Sequence, residues 1–118
     1  MSAVKTLQEV QQDVDHLVKE EWQSYYWAPL SNLARLTEEV GELAREINHH
    51  YGEKPKKSSE AQGNVAMEMG DILYTLAAIA NSLEIDLDSA FESVMDKYRQ
   101  RDKQRWSAKE GELSTEES

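Results

Sequence analysis

Apolar residues along this chain recur at alternating steps of three and four, the period of an α-helix, and no stretch alternates as a strand does. Val10, Val14, Leu17 and Val18 follow Thr6-x-x-Glu9, a capping box in which each side chain answers a free amide at a helix start. The pattern predicts a first helix from about Leu7 to Trp22. An aromatic connector, Tyr25-Tyr26-Trp27-Ala28, leads to Pro29, which suits a first helical turn and forbids continuation from upstream. The second predicted helix carries Leu33, Leu36, Val40, Leu43 and Ile47, and Gly52 is placed to end it. The stretch from Gly52 to Gly63 has little apolar material and is expected to be a mobile surface loop. A third helix resumes near Asn64 with the stripe Val65, Met69, Ile72, Leu76, Ile79 and Leu83; as the most apolar segment, it is expected at the centre. Asp86 is the predicted N-cap of a fourth helix, whose apolar positions Leu87, Ala90, Phe91 and Val94 run into the charged stretch Lys97 to Arg105. From Ser107 the chain is polar and aperiodic, which predicts an all-α domain over 1–106 and a disordered tail over 107–118.

A single domain of 118 residues buries a modest core, so the wide apolar stripes are expected to be completed by association into a homodimer or homotetramer. Cysteine is absent, which excludes disulfides, thiolate metal sites and cysteine nucleophiles and leaves carboxylate, histidine, lysine and tyrosine chemistry. The start, MSAVKTLQEV, has no basic-then-apolar leader, and no apolar run approaches the roughly 18 residues of a membrane span. A soluble, cytoplasmic protein without a membrane partner is the expectation. The net charge of −10 argues against binding long nucleic acid through a basic face. A small phosphorylated ligand is compatible with it, because a divalent cation held by clustered carboxylates reverses the local sign of the field.

The acids themselves are arranged. With about 100° per residue and Leu36 at the middle of the second helix's stripe, Glu39 falls at about −60° and Glu42 at about −120°. On the third helix, taking Val65 as origin, Glu68 and Asp71 fall at about the same −60° and −120°. Each residue alone reads as an ordinary solvated helix position. Together they put one acidic edge on each of two core helices; if the stripes pack as an antiparallel hairpin, the edges meet at one rim, where the carboxylates repel unless a cation joins them. Hard divalent ions, Mg²⁺ foremost and Mn²⁺ as a substitute, favour such all-oxygen shells.

Thr37-Glu38-Glu39-Val40-Gly41-Glu42-Leu43, followed by Glu68-Met69-Gly70-Asp71, resembles the E-E-x-x-E then E-x-x-D signature of the MazG-like, all-α nucleoside triphosphate pyrophosphohydrolases. The similarity runs from about Pro29 to Trp106, and the segments from Tyr51 to Lys57 and from Arg101 to Trp106 look like the short, single-domain YpjD-type branch. The resemblance implies a four-helix fold completed by two or more chains, Mg²⁺ held by Glu39, Glu42, Glu68 and Asp71, and cleavage of a nucleoside triphosphate to monophosphate and pyrophosphate, with cleansing of the nucleotide pool as the expected service. Glu38 sits about 100° behind Glu39 and is either a surface residue or a base that orients the attacking water.

Other candidates divide between two readings. Lys54, Lys56 and Lys57 are either a solvated loop or a cationic lid over phosphates. Lys97, Tyr98 and Arg101 recur at helical spacing; the resemblance suggests phosphate or sugar contacts, while a plain charged face competes. Trp22, Tyr25, Tyr26 and Trp27 suit a core or subunit contact better than a stack on a nucleobase. Asn32 and Asn81 are ligand contacts or caps. His49 and His50 stand where some family members carry an aromatic pocket residue. The rival from another class is a carboxylate-bridged di-iron bundle built on Glu46-x-x-His49, which needs two such pairs. A non-catalytic acidic scaffold and a phosphoribosyl-ATP pyrophosphohydrolase are the further alternatives.

Overall fold

The computed structural model describes residues 4–52 and 65–117, with side chains through Asp102. Among these residues the fold is all-α, with four α-helices: α1 Leu7–His16, α2 Pro29–Tyr51, α3 Val65–Ser82 and α4 Leu87–Glu117. Residues through Ile85 form one compact unit and those from Asp86 a second. The expected loop beyond Gly52, with Lys54, Lys56 and Lys57, lies outside the described residues.

The helix starts follow local chemistry. Thr6 Oγ1 accepts from the Glu9 amide and Glu9 Oε1 accepts from the Thr6 amide, the two halves of the capping box. Pro29 occupies the first turn of α2, and Gly52 closes it with its amide donating to the Asn48 carbonyl at 2.9 Å. Asp86 opens α4 by accepting from the Asp88 amide at 3.1 Å. The backbone of α4 runs on through the segment after Ser107.

Two details differ from the periodicity. The first helix is not uniformly α: after His16 it widens into a π-helical turn, Leu17–Glu21, closed by the Trp22 amide on the Leu17 carbonyl. Gln23 then takes a left-handed φ of 50°, which a non-glycine residue adopts at some strain, and the chain turns off into the aromatic connector. The extra residue per turn is invisible to a fixed 100° step. On α3 the buried face is Thr75, Ala77, Ala78 and Ala80, whereas Met69, Leu76 and Leu83 of the expected stripe are exposed. The helix is central to its unit all the same, packing on both α1 and α2, and small side chains let two neighbours approach its backbone closely.

Val14 and Val18 supply the apolar side of the α1 seam, which is locked by polar contacts. Gln11 Nε2 donates to Asn81 Oδ1 at 2.9 Å and to the Ile85 carbonyl at 2.8 Å. Asn81 Nδ2 donates in turn to the Gln11 carbonyl and to the Tyr26 hydroxyl, each at 2.9 Å. The Tyr26 hydroxyl donates to Asp15 Oδ1 at 2.6 Å. Asn81 is therefore a framework residue, and Tyr26 is the one member of the aromatic connector drawn into the frame.

Candidate metal centre and adjoining pocket

Helices α2 and α3 run antiparallel along their contact. Glu42 and Glu68 approach each other, and seven residues earlier on α2 and six later on α3 the Arg35 guanidinium lies 5.8 Å from the Tyr74 ring centre. Rising numbers on one helix thus meet falling numbers on the other. This places the two acidic edges at one level of the seam, and Glu39, Glu42 and Glu68 each offer a carboxylate oxygen within 4.8 Å of the other two. Asp71 is outside that set; it stands one turn beyond Glu68 on α3, half-buried, and its charge acts on Glu68.

The local electrostatics are those of a site built for a cation. Glu68 is held above its ordinary pKa, first by loss of solvent, then by the negative charge of Glu42 and a hydrogen-bonding contact with it, then by Asp71 and Glu39. Only 14% of the Glu39 side chain is exposed, and Glu39 Oε2 and Glu68 Oε2 are buried without a hydrogen-bond partner among the described residues. A buried carboxylate oxygen lacking a donor costs free energy that a cation would recover. The donors are all oxygens and they face one another, so the residues present fit a hard divalent ion. Arg35 gives Glu39 partial relief, its Nε lying 3.8 Å from Glu39 Oε1.

Of the other expected residues, Glu38 is exposed on α2. Lys97, Tyr98 and Arg101 gather on α4, with the Lys97 ammonium 5.2 Å and the Arg101 guanidinium 4.7 Å from the Tyr98 ring centre. Glu46 Oε2 lies 3.7 Å from His50 Nε2, but among the described residues the acidic group able to share an ion contains no histidine. Glu46 and His49 thus stand outside the acidic cluster of α2 and α3.

The aromatic side chains expected in the core or at a subunit contact are not in the core of the chain. Trp22, Tyr25 and Trp27 are 58%, 88% and 57% exposed. With Tyr26, Tyr74, Asn32 and Arg35 they line an open cavity of about 100 Å³. Asn32 is buried on its floor, Nδ2 reaching the Trp27 carbonyl at a long 3.4 Å. The Arg35 guanidinium lies 5.6 Å from the Trp27 ring and 5.8 Å from the Tyr74 ring. Sequence reasoning missed Arg35 and Tyr74. The signal was present: Arg35 precedes Glu39 by four residues and Tyr74 follows Asp71 by three, so each continues an acidic edge by one helical turn.

No helix among the described residues is long and apolar enough to cross a membrane. YpjD of Bacillus subtilis strain 168 is 49% identical over 106 residues, spanning 90% of this chain and 95% of that protein. The crystal structure of Bacillus subtilis YpjD superposes with a TM-score of 0.70 at 46% identity, covering 82% of this chain and 98% of that one. That of the Bacillus-conserved MazG protein, a nucleotide pyrophosphohydrolase, superposes with a TM-score of 0.67 at 42% identity, covering 82% and 93%. The family model for the MazG nucleotide pyrophosphohydrolase domain matches residues 28–106, which takes in both carboxylate-bearing helices and ends where the periodic sequence ends. Enzymes of that family use a divalent metal, the ion for which the α2–α3 seam has the donors, and this chain belongs to it as a pyrophosphohydrolase.

Proposed function

We propose that this enzyme is an Mg²⁺-dependent nucleoside triphosphate pyrophosphohydrolase, converting ribo- or deoxyribonucleoside triphosphates to the monophosphate and pyrophosphate. The observation that carries this reading is the pair of buried, unpartnered oxygens, Glu39 Oε2 and Glu68 Oε2, in a cluster that Glu42 completes. Glu39, Glu42 and Glu68 would hold the metal, with Asp71 one turn away as the fourth ligand; Mn²⁺ satisfies the same donors. When bound, the ion supplies charge neutralisation of the phosphate oxygens, without which attack on a triphosphate is slow.

The chain's own residues do the rest. Water adds to the α-phosphorus, the bond from that phosphorus to the bridging oxygen of the β-phosphate breaks, and pyrophosphate leaves with the bond's electrons. The proton lost by the water needs a carboxylate, and Glu38, exposed beside Glu39, is the candidate base. The aromatic cavity next to the cluster suits the nucleoside, since every base offers a face to stack. Lys54 and Lys57 in the inter-helix segment, and Lys97, Tyr98 and Arg101 on α4, are proposed phosphate and sugar contacts. A role in cleansing the cytoplasmic nucleotide pool fits this chemistry, with residues 107–118 as an appended tail.

Association into a dimer or tetramer is supported by the apolar side chains left outside: Leu33, Val40 and Ile47 on α2, and Met69, Leu73 and Leu76 on α3. Light scattering at micromolar concentration should return a multiple of 13.5 kDa, and a monomer would contradict it. The function is tested with a panel of common and damaged nucleoside triphosphates, plus phosphoribosyl-ATP, in Mg²⁺. Pyrophosphate rather than orthophosphate is the expected product, and no release across the panel would sink the reading.

A further inference from the structure

We propose that Arg35 is the residue that binds the substrate's α-phosphate, fixing the sugar-linked phosphoryl group between the aromatic cavity and the carboxylate cluster; the proposal rests on the function inferred above. Three features of Arg35 carry it. Its place on α2 is intermediate: it lines the cavity, and Glu39 follows it by one turn, about 6 Å along the axis. In a nucleoside triphosphate the α-phosphate is likewise the one group between the nucleoside and the terminal phosphates. If the nucleoside fills the cavity and the terminal phosphates reach the metal, the α-phosphate must pass Arg35.

The second feature is how the side chain is held. Trp27 comes from the connector and Tyr74 from α3, and the guanidinium lies within 6 Å of both ring centres, so it is oriented from two directions rather than swinging in solvent. The third is unused capacity. A guanidinium has five N–H donors in a rigid fork that matches two phosphate oxygens at once, yet among the described residues its one acidic partner is Glu39, through Nε at 3.8 Å. That contact is long for a charge-assisted hydrogen bond and leaves both Nη groups available. Arg35 therefore shields Glu39 through Nε, while its two Nη groups can take the phosphate whether or not the carboxylates hold a cation. During hydrolysis the α-phosphoryl group is the reacting centre, so a fixed positive charge there favours the transition state as well as binding.

The test is equilibrium binding without metal, which isolates this contact from the carboxylates. Affinities of the four common deoxynucleosides and of their 5′-monophosphates are measured by calorimetry and tryptophan fluorescence for the wild type, Arg35→Lys and Arg35→Gln. For the best-bound base, the wild type should prefer the monophosphate over the nucleoside by about tenfold or more, Arg35→Lys should keep part of that ratio, and Arg35→Gln should bring it to about one, each ratio being taken against that variant's own nucleoside affinity. In turnover, kcat should fall in Arg35→Gln by more than KM rises. A wild-type ratio near one, or a ratio that Arg35→Gln leaves intact while its affinity for Mg²⁺ alone increases, overturns the proposal, because Arg35 would then only shield Glu39. Failure of the underlying function would be seen separately, as absence of pyrophosphate release by the wild type.

Discussion

Helix α3 is flanked by two polar seams that handle burial in opposite ways. On the α1 side, Gln11, Asn81, Tyr26 and Asp15 form a closed series in which donor meets acceptor at 2.6–2.9 Å. On the α2 side, three carboxylates face one another and two of their buried oxygens have no donor among the described residues. Both seams are built from polar side chains at helical spacing, and composition alone does not separate them. What separates them is satisfaction: a polar network that closes on itself holds the fold, whereas one that cannot close without an added cation holds a ligand. The contrast makes ordered predictions, because a substitution in the first seam should affect stability and one in the second should affect chemistry.

The largest effect belongs to the open seam. Glu42→Gln and Asp71→Asn should each lower kcat by about a hundredfold or more, since losing a ligand exceeds the effect of losing a ligand's support. The helical circular dichroism should persist, because neither side chain fills the core. In the metal-free protein, melting temperature should rise for Glu42→Gln, which removes the charge that presses most on Glu68. The rise in melting temperature on adding Mg²⁺ should shrink in both. Near-normal turnover in both variants would dissolve the distinction between the seams.

These two seams were not equally legible in the sequence. The approach of Glu39, Glu42 and Glu68 was: with Asp71, which stands outside the cluster, they repeat one pair of offsets from the apolar stripes, and a pair repeated on two helices survives any modest error in helix geometry. So were the helix starts at Thr6 and Pro29, where one side chain or one ring decides the backbone locally. The closed seam was not, because Gln11, Tyr26 and Asn81 are separated by up to 70 residues and nothing in their spacing says that they meet. The same limit hid the cavity. Periodicity names the apolar residues but not the neighbour that covers them, so Trp22 and Trp27 read as core or subunit contacts while Ala77, Ala78 and Ala80, which are buried, carried no signal. Arg35 and Tyr74 each continue an acidic edge by one helical turn, so the period places them beside the cluster, but it does not report that the guanidinium meets the ring across the seam.

The next largest effect should come from the closed seam. Asn81→Ala takes one partner from Tyr26 and two contacts from Gln11, and should destabilise the protein by about 2–3 kcal/mol, since part-buried donors and acceptors are left unmatched. Urea unfolding measures this, and kcat per folded molecule should stay within about a factor of two. A large loss of kcat with unaltered stability would place Asn81 in the site instead of the frame.

A pH dependence refines the same point. Burial, followed by the hydrogen bond to Asp15, pushes the Tyr26 hydroxyl up to about 12 from its ordinary 10. The folded state thus favours the protonated phenol, and the stability Tyr26 contributes is complete below pH 10 and lost as pH rises from 10 towards 12. Tyr26→Phe should cost about 1–2 kcal/mol near neutral pH by leaving Asp15 and Asn81 short of a partner. The gap between wild type and Tyr26→Phe should then narrow above pH 10, read as converging urea midpoints. A gap independent of pH would mean that the hydroxyl is solvated and outside the network.

The smallest effect discriminates charge from closure. Lys19 pairs with Asp15 at 3.1 Å and lies 5.7 Å from the Tyr26 ring, so it touches two members of the closed seam from outside. Both side chains of that pair are substantially exposed, with 53% and 42% of their surface in solvent, and water and salt screen such a contact. Lys19→Ala should therefore cost no more than about 0.5 kcal/mol, and less at high ionic strength. If it matched Asn81→Ala instead, the α1 seam would be held by an external cation neutralising Asp15. The two seams would then follow one rule, each requiring a positive charge, and differ only in whether the chain itself supplies it.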